Sequence, residues 1–157
     1  MRLLLIRHAK TDPSSPTGND FDRKLLPRGL RQCHDLRDFL QNVDVHIETI
    51  LCSTAERTKQ TFMEISSSVN CPACFLNSLY LADRQLLLHE ITMVKNNKDL
   101  LVIGHNDGIS DLASYLTGEH IYFKTGMLWI LEFNGNSWEE LSAETALATS
   151  YYRSDCR

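Results

Sequence analysis

The stretch Arg2-Leu3-Leu4-Leu5-Ile6-Arg7-His8 decides the fold, because a short apolar run in it ends in a cation and an imidazole. Residues 3–6 have the length and composition of a buried strand and are too few to span a membrane. Arg7 and His8 then fall where this strand leaves the core. In an open α/β sheet, ligands bind beyond the carboxyl ends of the strands. The stretch therefore predicts a strand over residues 2–7 that brings two reactive side chains to a binding site.

Helix-like and strand-like patterns alternate along the rest of the chain. One helix is predicted from Pro27, a residue suited to the first helical position, and another is capped by Ser53 or Thr54. Other apolar runs predict helices over residues 86–94 and 109–116, and strands over residues 47–52, 74–76 and 100–103. This alternation predicts a three-layer α/β domain with a mainly parallel central sheet flanked by helices.

The C-terminal part of the chain is predicted to be richer in strands. Residues 127–133 alternate between apolar and polar side chains, and Asn134-Gly135 is typical of a tight turn. We therefore expect a hairpin between residues 127–133 and 138–141, and residues 151–153 are a further strand candidate. Because the composition changes nowhere along the chain, we expect one domain over residues 1–157.

Composition excludes several classes of function. The net charge of −4 argues against general nucleic-acid binding. No segment is long enough to cross a bilayer, and the N-terminal apolar run is too short for a secretion signal, so a cytoplasmic protein is expected. Five cysteines, an odd number, fit free thiols. Cys71-Pro72-Ala73-Cys74 has redox spacing but precedes a strand, and no second pair exists for zinc. No cofactor or metal is expected.

Three predicted strand ends carry reactive side chains. Arg7 and His8 end the first strand, Arg57 lies one turn into the helix after the second, and His105 follows the strand at residues 100–103. Because the carboxyl ends of parallel strands share one edge, we expect these four side chains to converge. Guanidinium groups match phosphoryl oxygens in bidentate fashion, and an imidazole can attack phosphorus. The set therefore predicts chemistry on a phosphoryl group.

The motifs at these strand ends resemble the histidine phosphatase (phosphoglycerate mutase-like) superfamily, in particular its SixA-like phosphohistidine phosphatase branch. The resemblance covers about residues 1–142 and rests on Arg7-His8-Ala9-Lys10, on residues 53–61 and on Gly104-His105-Asn106. It implies a phosphoglycerate mutase-like fold in which His8 is the nucleophile and becomes transiently phosphorylated. It also implies that Arg7, Arg57 and His105 bind the phosphoryl group. Ser53 and Asn106 are candidates for substrate binding or, equally, for helix caps.

The acid that would protonate a leaving group has no clear match. Gln85 stands where SixA-like sequences often carry Glu, and the weaker candidates are Glu90, Asp20, Asp22, Asp83 and Tyr80. A phosphate ester needs its leaving oxygen protonated, whereas a phosphoramidate such as phosphohistidine leaves more readily. Residues 80–100 hold only one predicted helix, which leaves no room for a long insertion over the site. Both features favour a phosphohistidine-containing protein as the substrate.

Two alternatives stay open. One is a phosphatase or mutase that acts on small phosphate esters. The other is a catalytically silent module that binds a phosphorylated ligand, although the presence of all four motif side chains argues against it. A metal site built on His8 and His105 is not expected, since no carboxylate stands at ligand spacing. Lys10, Arg23 and other nearby cations either steer an anion toward the site or form a solvated basic surface.

Overall fold

The computed structural model describes residues 1–154, and residues 155–157 of the predicted domain lie outside the described residues. The described part contains one six-stranded sheet and four α-helices. The strands are β1 (Arg2–Arg7), β2 (Ile47–Ser53), β3 (Ala73–Leu76), β4 (Asp99–Gly104), β5 (Leu128–Phe133) and β6 (Ala146–Tyr152). The helices are α1 (Pro27–Gln41), α2 (Glu56–Ile65), α3 (Arg84–Thr92) and α4 (Gly108–Thr117).

The sheet is mainly parallel, as predicted. Its strand order is β3-β2-β4-β1-β5-β6. The first four strands in this order are parallel, whereas β5 runs antiparallel to both β1 and β6. In the register of the two central strands, Arg7 is paired with Gly104, so His8 and His105 leave the sheet side by side. Strand pairing therefore aligns two of the predicted site segments.

Alternate residues of the central strands pack against the two helical layers. In β1, Leu3 and Leu5 belong to the core that includes α3 and α4, whereas Leu4 and Ile6 belong to the core that includes α1 and α2. All four side chains are at most 1% exposed. Burying an aliphatic side chain of this size contributes roughly 1.5–3 kcal/mol. The central strands are thus buried on both faces, and the predicted three-layer architecture is confirmed.

Close backbone contacts place α1 and α4 against the segments that carry the site. A Cβ at Gly29 would lie 2.2 Å from the Lys10 carbonyl oxygen, and a Cβ at Gly108 would lie 1.9 Å from that of Ala82. Only glycine permits such an approach. The first turn of α1 therefore packs on the chain just beyond His8, and α4 begins just beyond His105.

The predicted hairpin at residues 138–141 is wrong. Residues 138–140 form a short 3₁₀ turn, and β5 pairs instead with β6, which contains most of the strand candidate at residues 151–153. Trp138 is fully buried and stacks on Phe133 with ring centroids 6.0 Å apart. The apolar pattern of this segment therefore reflects the burial of one large ring in the core, which a 3₁₀ turn achieves without a strand.

The predicted cap of α2 is also wrong. The residue that precedes this helix is Ala55, and no side chain accepts a hydrogen bond at the cap. The Ser53 hydroxyl accepts from Ala55 N at 3.3 Å, and Thr54 bonds to Asn77 instead. The hydroxyls at the end of β2 therefore organise the turn before the helix rather than the helix itself.

The two cysteines at redox spacing are free thiols, Cys71 just before β3 and Cys74 within it. Cys71 is partly buried and Cys74 is exposed at the edge of the sheet. Among residues 1–154, no three histidine, cysteine or acidic side chains are grouped in a way that would hold a metal ion. In the same residues, none of the helices combines the length and the apolar character that a membrane span requires.

Candidate active site

A pocket of about 240 Å³ lies at the carboxyl ends of β1 and β4. Its walls include all four predicted phosphoryl-site residues, Arg7, His8, Arg57 and His105. Asn106, a fifth predicted residue, also lines it. The strand-end prediction therefore located the pocket, and the four side chains converge although they come from three separate segments of the chain.

Hydrogen bonds fix the tautomer of His8. Its Nδ1 lies 2.8 Å from the carbonyl oxygen of Ala9, and its Nε2 lies 3.3 Å from Arg57 Nε. A guanidinium nitrogen can only donate, so Nε2 must accept and must be unprotonated. The single ring proton is then on Nδ1, where it is donated to Ala9. The site therefore holds a neutral imidazole whose lone pair at Nε2 is directed toward a guanidinium.

The surroundings of His8 also keep the ring neutral. Burial is the largest effect and lowers the pKa of His8 to about 3, and the nearby charges of Arg57 and Arg7 act in the same direction. The hydrogen bond to Ala9 opposes them only in part. At neutral pH the lone pair of Nε2 is therefore available for attack on an electrophile.

His105 is a second neutral imidazole beside the first. Burial, followed by the proximity of His8 and Arg57, lowers the pKa of His105 to about 3. The two ring centroids are 5.3 Å apart. His105 Nε2 lies 2.8 Å from the Ser53 hydroxyl, whereas its buried Nδ1 has no hydrogen-bond partner among the described residues. Ser53 is fully buried and holds His105, and it is not part of the pocket wall.

Arg57 connects His8 to the loop that follows β1. Its side chain is only 3% exposed, and besides His8 it bonds Asp20 twice. Nη1 donates to the Asp20 carbonyl oxygen at 2.8 Å, and Nη2 donates to Oδ2 at 2.9 Å. Thr61 anchors the same helix, because its hydroxyl donates to the Arg57 carbonyl and accepts from Ala9 N. Thr61 lies within the motif at residues 53–61, but its type and spacing alone do not indicate this role.

Arg7 lies on the opposite side and is tied to the segment before β5. Its Nη1 donates to the Phe123 carbonyl oxygen at 2.8 Å, while its buried Nε has no partner among residues 1–154. Asn106 donates to the same carbonyl at 2.9 Å and accepts from the Ser110 hydroxyl. Both ends of the Asn106 amide are thus engaged within the protein, and this side chain connects α4 to the pocket wall.

Asp20 is the pocket residue that the sequence identified least clearly. Partial burial alone would raise the pKa of Asp20. Hydrogen bonds from Tyr80, Arg23 and Arg57 outweigh this effect and hold that pKa well below its usual range. The remaining candidates for a leaving-group acid lie outside the pocket wall. Asp83 caps α3, Gln85 and Glu90 lie within that helix, and Asp22 bonds Thr17.

The pocket as a whole suits a compact dianion. Its described wall carries four cationic side chains, from Arg7, Lys10, Arg23 and Arg57, and a single carboxylate, from Asp20. Two buried nitrogens of residues in this wall, Arg7 Nε and His105 Nδ1, have no hydrogen-bond partner among residues 1–154. A tetrahedral oxyanion such as a phosphoryl group would offset the excess positive charge and accept hydrogen bonds from the guanidinium groups of the wall.

Comparison with known proteins identifies similar sequences and folds. A family model described as histidine phosphatase superfamily (branch 1) matches residues 3–79. An uncharacterized protein of Mycobacterium leprae is 30% identical over 163 aligned residues, which cover 94% of this chain and 98% of that protein.

Solved structures with the same fold include proteins with different described activities. A SixA structure from Nakamurella multipartitia has a TM-score of 0.87 at 24% identity and covers 97% of this chain and 95% of its own. The protein histidine phosphatase SixA complexed with tungstate has a TM-score of 0.81 at 23% identity, with 96% of each chain covered. Phosphoserine phosphatase from Entamoeba histolytica has a TM-score of 0.68 at 14% identity, with 98% of each chain covered.

Proposed function

The chain belongs to the histidine phosphatase superfamily, and on that premise we propose that it hydrolyses a phosphoryl group through a covalent phosphohistidine intermediate on His8. The observation that carries this proposal is the state of His8. Its Nδ1–H is held by the Ala9 carbonyl, and its Nε2 is an unprotonated acceptor on the pocket wall. We propose that residues 1–157 form a single domain of this family.

In the first step, His8 Nε2 attacks phosphorus and the bond to the leaving group breaks. Arg57 Nε, which donates to Nε2 in the free protein, transfers its hydrogen bond to a phosphoryl oxygen as the N–P bond forms. Arg7 and His105 bind the remaining oxygens with nitrogens that lack partners in the free site. Each guanidinium about 4 Å from a phosphoryl charge contributes about 4 kcal/mol at an effective dielectric constant near 20.

In the second step, water attacks the phosphorylated His8 and inorganic phosphate is released. The water loses its proton to solvent, and the electron pair of the N–P bond returns to Nε2. Throughout, Nδ1 keeps its proton and donates it in a hydrogen bond to the Ala9 carbonyl, so His8 departs as a neutral imidazole rather than an anion. No metal enters either step of this mechanism.

We propose a phosphohistidine-containing protein as the substrate. The pocket wall holds no carboxyl group suited to protonating an ester oxygen, because Asp20 is kept ionised by its three donors. The connection between β3 and β4 contains only α3 and a short 3₁₀ turn, so this segment supplies no long insertion over the pocket, which favours a protein substrate. A phosphatase or mutase for small esters is the second candidate, since the phosphoserine phosphatase named above shares the fold.

The intermediate is tested by rapid-quench labelling. The protein is mixed with a ³²P-labelled phosphoramidate and quenched in alkali, where phosphohistidine survives and phosphoserine does not. We expect label on His8, and we expect none in His8→Asn. The matched control is His34→Asn, which removes an exposed histidine paired with Glu64 and should label as the wild type does. Turnover without any labelled protein would contradict the covalent mechanism, and tight retention of phosphate without turnover would indicate a binding module.

The substrate class is tested by a turnover panel in the presence of EDTA. The panel compares a phosphohistidine-containing protein, phosphoserine and a sugar phosphate. We expect kcat/KM to be highest by a wide margin for the phosphohistidine protein, because its leaving nitrogen needs no strong acid. Equal or faster turnover of the sugar phosphate would contradict this assignment and favour the second candidate. Loss of all activity in EDTA would contradict the metal-free mechanism.

A further inference from the structure

Asp20 has acceptor capacity that the protein does not use. Its Oδ2 accepts from Arg57 Nη2 at 2.9 Å and from the Tyr80 hydroxyl at 2.7 Å, and its Oδ1 accepts from Arg23 Nη1 at 2.9 Å. A carboxylate offers about four acceptor directions on its two oxygens. The side chain is 43% exposed, so a substrate group in the pocket can reach the remaining direction on Oδ1.

The position of Asp20 relative to the nucleophile is set by Arg57. Nε of this guanidinium donates to His8 Nε2 and Nη2 donates to Asp20 Oδ2, so a single guanidinium contacts both the attacking atom and the carboxylate. Tyr80, sixty positions away along the chain, and Arg23, three residues after Asp20 at the end of the same turn, also donate to Asp20. The carboxylate therefore keeps its place when Arg57 Nε turns to a phosphoryl oxygen.

We infer that Asp20 is a specificity-determining residue that accepts a hydrogen bond from the far ring nitrogen of a protonated phosphohistidine substrate. This inference rests on the proposed function and adds the feature of the substrate that the pocket selects. A phosphorylated imidazole has one nitrogen bonded to phosphorus and a second nitrogen that can carry a proton. An ionised carboxylate favours the protonated form of that second nitrogen.

The proton balance explains how the site works without a general acid. The substrate arrives with a proton on its far ring nitrogen, held by Asp20. As His8 Nε2 bonds to phosphorus, the electron pair of the breaking P–N bond goes to the departing nitrogen. The departing ring, already protonated once, leaves as neutral imidazole. No proton has to come from the protein, which accords with an Asp20 that is held ionised.

In the second step of the proposed reaction, the protein itself contains the same pairing of a departing imidazole with a hydrogen-bond acceptor. When His8 is the leaving group, its far ring nitrogen is Nδ1, which lies 2.8 Å from the Ala9 carbonyl oxygen and donates its proton to it. Asp20 would serve the substrate imidazole as Ala9 serves His8. Each of the two departing imidazoles thus has an acceptor for its second nitrogen.

The same carboxylate discriminates against phosphate esters. A departing alkoxide or phenoxide has no N–H to donate and develops negative charge, which the Asp20 carboxylate repels. Specificity then comes from an attractive contact with one class of leaving group and a repulsive contact with the other. The inference adds to the argument from an open pocket, because it predicts that the enzyme selects a substrate by the chemistry of its leaving group rather than by its size.

The test compares Asp20→Asn with the wild type on a phosphohistidine peptide and on 4-nitrophenyl phosphate. We expect the ratio of the two kcat/KM values, phosphoramidate over ester, to fall about tenfold or more in the variant, the effect of losing one charge-assisted hydrogen bond. Using the ratio removes any effect on Arg57, which binds the phosphoryl group of both substrates. The matched control is Asp22→Asn in the same turn, outside the pocket wall, which should keep the wild-type ratio.

An unchanged or increased ratio in Asp20→Asn would overturn the inference and leave Asp20 as a residue that only positions Arg57. If that variant does not fold, the wild type alone decides, with phosphoimidazole and its N-methyl analogue as probes. The analogue lacks the N–H, and we expect its rate enhancement over the uncatalysed reaction to be about tenfold smaller. Equal enhancements would overturn the inference. Failure of the wild type on every phosphoramidate, with ester turnover intact, would instead refute the proposed substrate class.

Discussion

His8 and His105 are held neutral by burial at the place where an anion is expected to bind. Each has a pKa of about 3, against an ordinary value of 6.5, and burial is the main cause for both. The benefit is a nucleophile that does not have to lose a proton first. The cost falls on the folded state, because two imidazoles that would readily accept protons in the unfolded chain cannot do so in the native protein.

This cost predicts a loss of stability in mild acid. Between pH 6.5 and pH 3 the unfolded chain binds protons at these positions and the folded chain does not, so the free energy of unfolding falls as the pH drops through 6.5. Above pH 6.5 the effect disappears. From pH 7 to pH 5 we expect a loss of about 2 kcal/mol for each histidine, measured by urea unfolding at the two pH values.

The variant His8→Gln separates this effect from general acid destabilisation. It cannot titrate at this position, so the stability lost between pH 7 and pH 5 should shrink by about 2 kcal/mol, the contribution of one histidine. His34→Gln, at an exposed position beside Glu64, should lose as much as the wild type. An identical acid loss in His8→Gln and wild type would show that His8 is not the group responsible.

The residues of the pocket differ in how far the sequence could identify them. Arg7, His8 and His105 follow strands whose apolar runs are easily recognised, and Arg57 lies at a fixed distance after another. Asp20 lies in a polar loop without periodicity, and its partner Tyr80 is sixty positions away along the chain. Such a contact depends on how the loop folds back over α2, which no local pattern encodes.

Among the elements, the sequence pattern predicts the parallel part of the sheet well and the antiparallel part less well. The two central parallel strands, β1 and β4, have continuous apolar runs, and the predicted positions of all four parallel strands are confirmed within a few residues. The sequence predicts the wrong partner for β5, because residues 138–141 carry apolar side chains and follow a turn-forming Asn134-Gly135. Pairing of β5 with β6 instead leaves Trp138 free to fill the core.

The contact between α1 and the chain beyond β1 predicts an unusual effect of alanine. In most helices Gly→Ala is stabilising by about 1 kcal/mol. At Gly29 the new Cβ would lie 2.2 Å from the Lys10 carbonyl oxygen, a backbone atom, so helix or loop must shift. We expect Gly29→Ala to destabilise the protein by about 1–3 kcal/mol in urea unfolding.

The control for this change is Arg31→Ala, an exposed position in the same helix. Exposed substitutions of this kind usually alter stability by less than about 0.5 kcal/mol. Because Lys10 follows Ala9, which holds the His8 proton, Gly29→Ala should also lower kcat/KM, whereas Arg31→Ala should not. A Gly29→Ala protein as stable as the control would mean that the α1 contact is looser than described.

Over the whole molecule, the charge of the pocket wall is opposite in sign to the net charge of the chain. The chain carries a net charge of −4, yet the described pocket wall has four cations and one carboxylate. An anionic substrate is therefore repelled by much of the surface and attracted at one place. Such local fields accelerate the encounter with substrate and weaken in salt, because the screening length is about 8–10 Å at moderate ionic strength.

This distribution of charge predicts that salt slows the association of substrate with the enzyme but not the chemical steps. Raising NaCl from about 50 to about 200 mM should lower kcat/KM for a phosphorylated protein several-fold, with little change in kcat, because the bound phosphoryl group is shielded from solvent ions.

Lys10→Gln, which removes an exposed cation of the pocket wall, should lower kcat/KM at low salt and flatten the salt dependence. Lys98→Gln, exposed beside the first residue of β4 at the opposite edge of the sheet, should leave both unchanged. Equal effects of the two lysine variants would show that net charge, rather than the pocket field, governs the encounter.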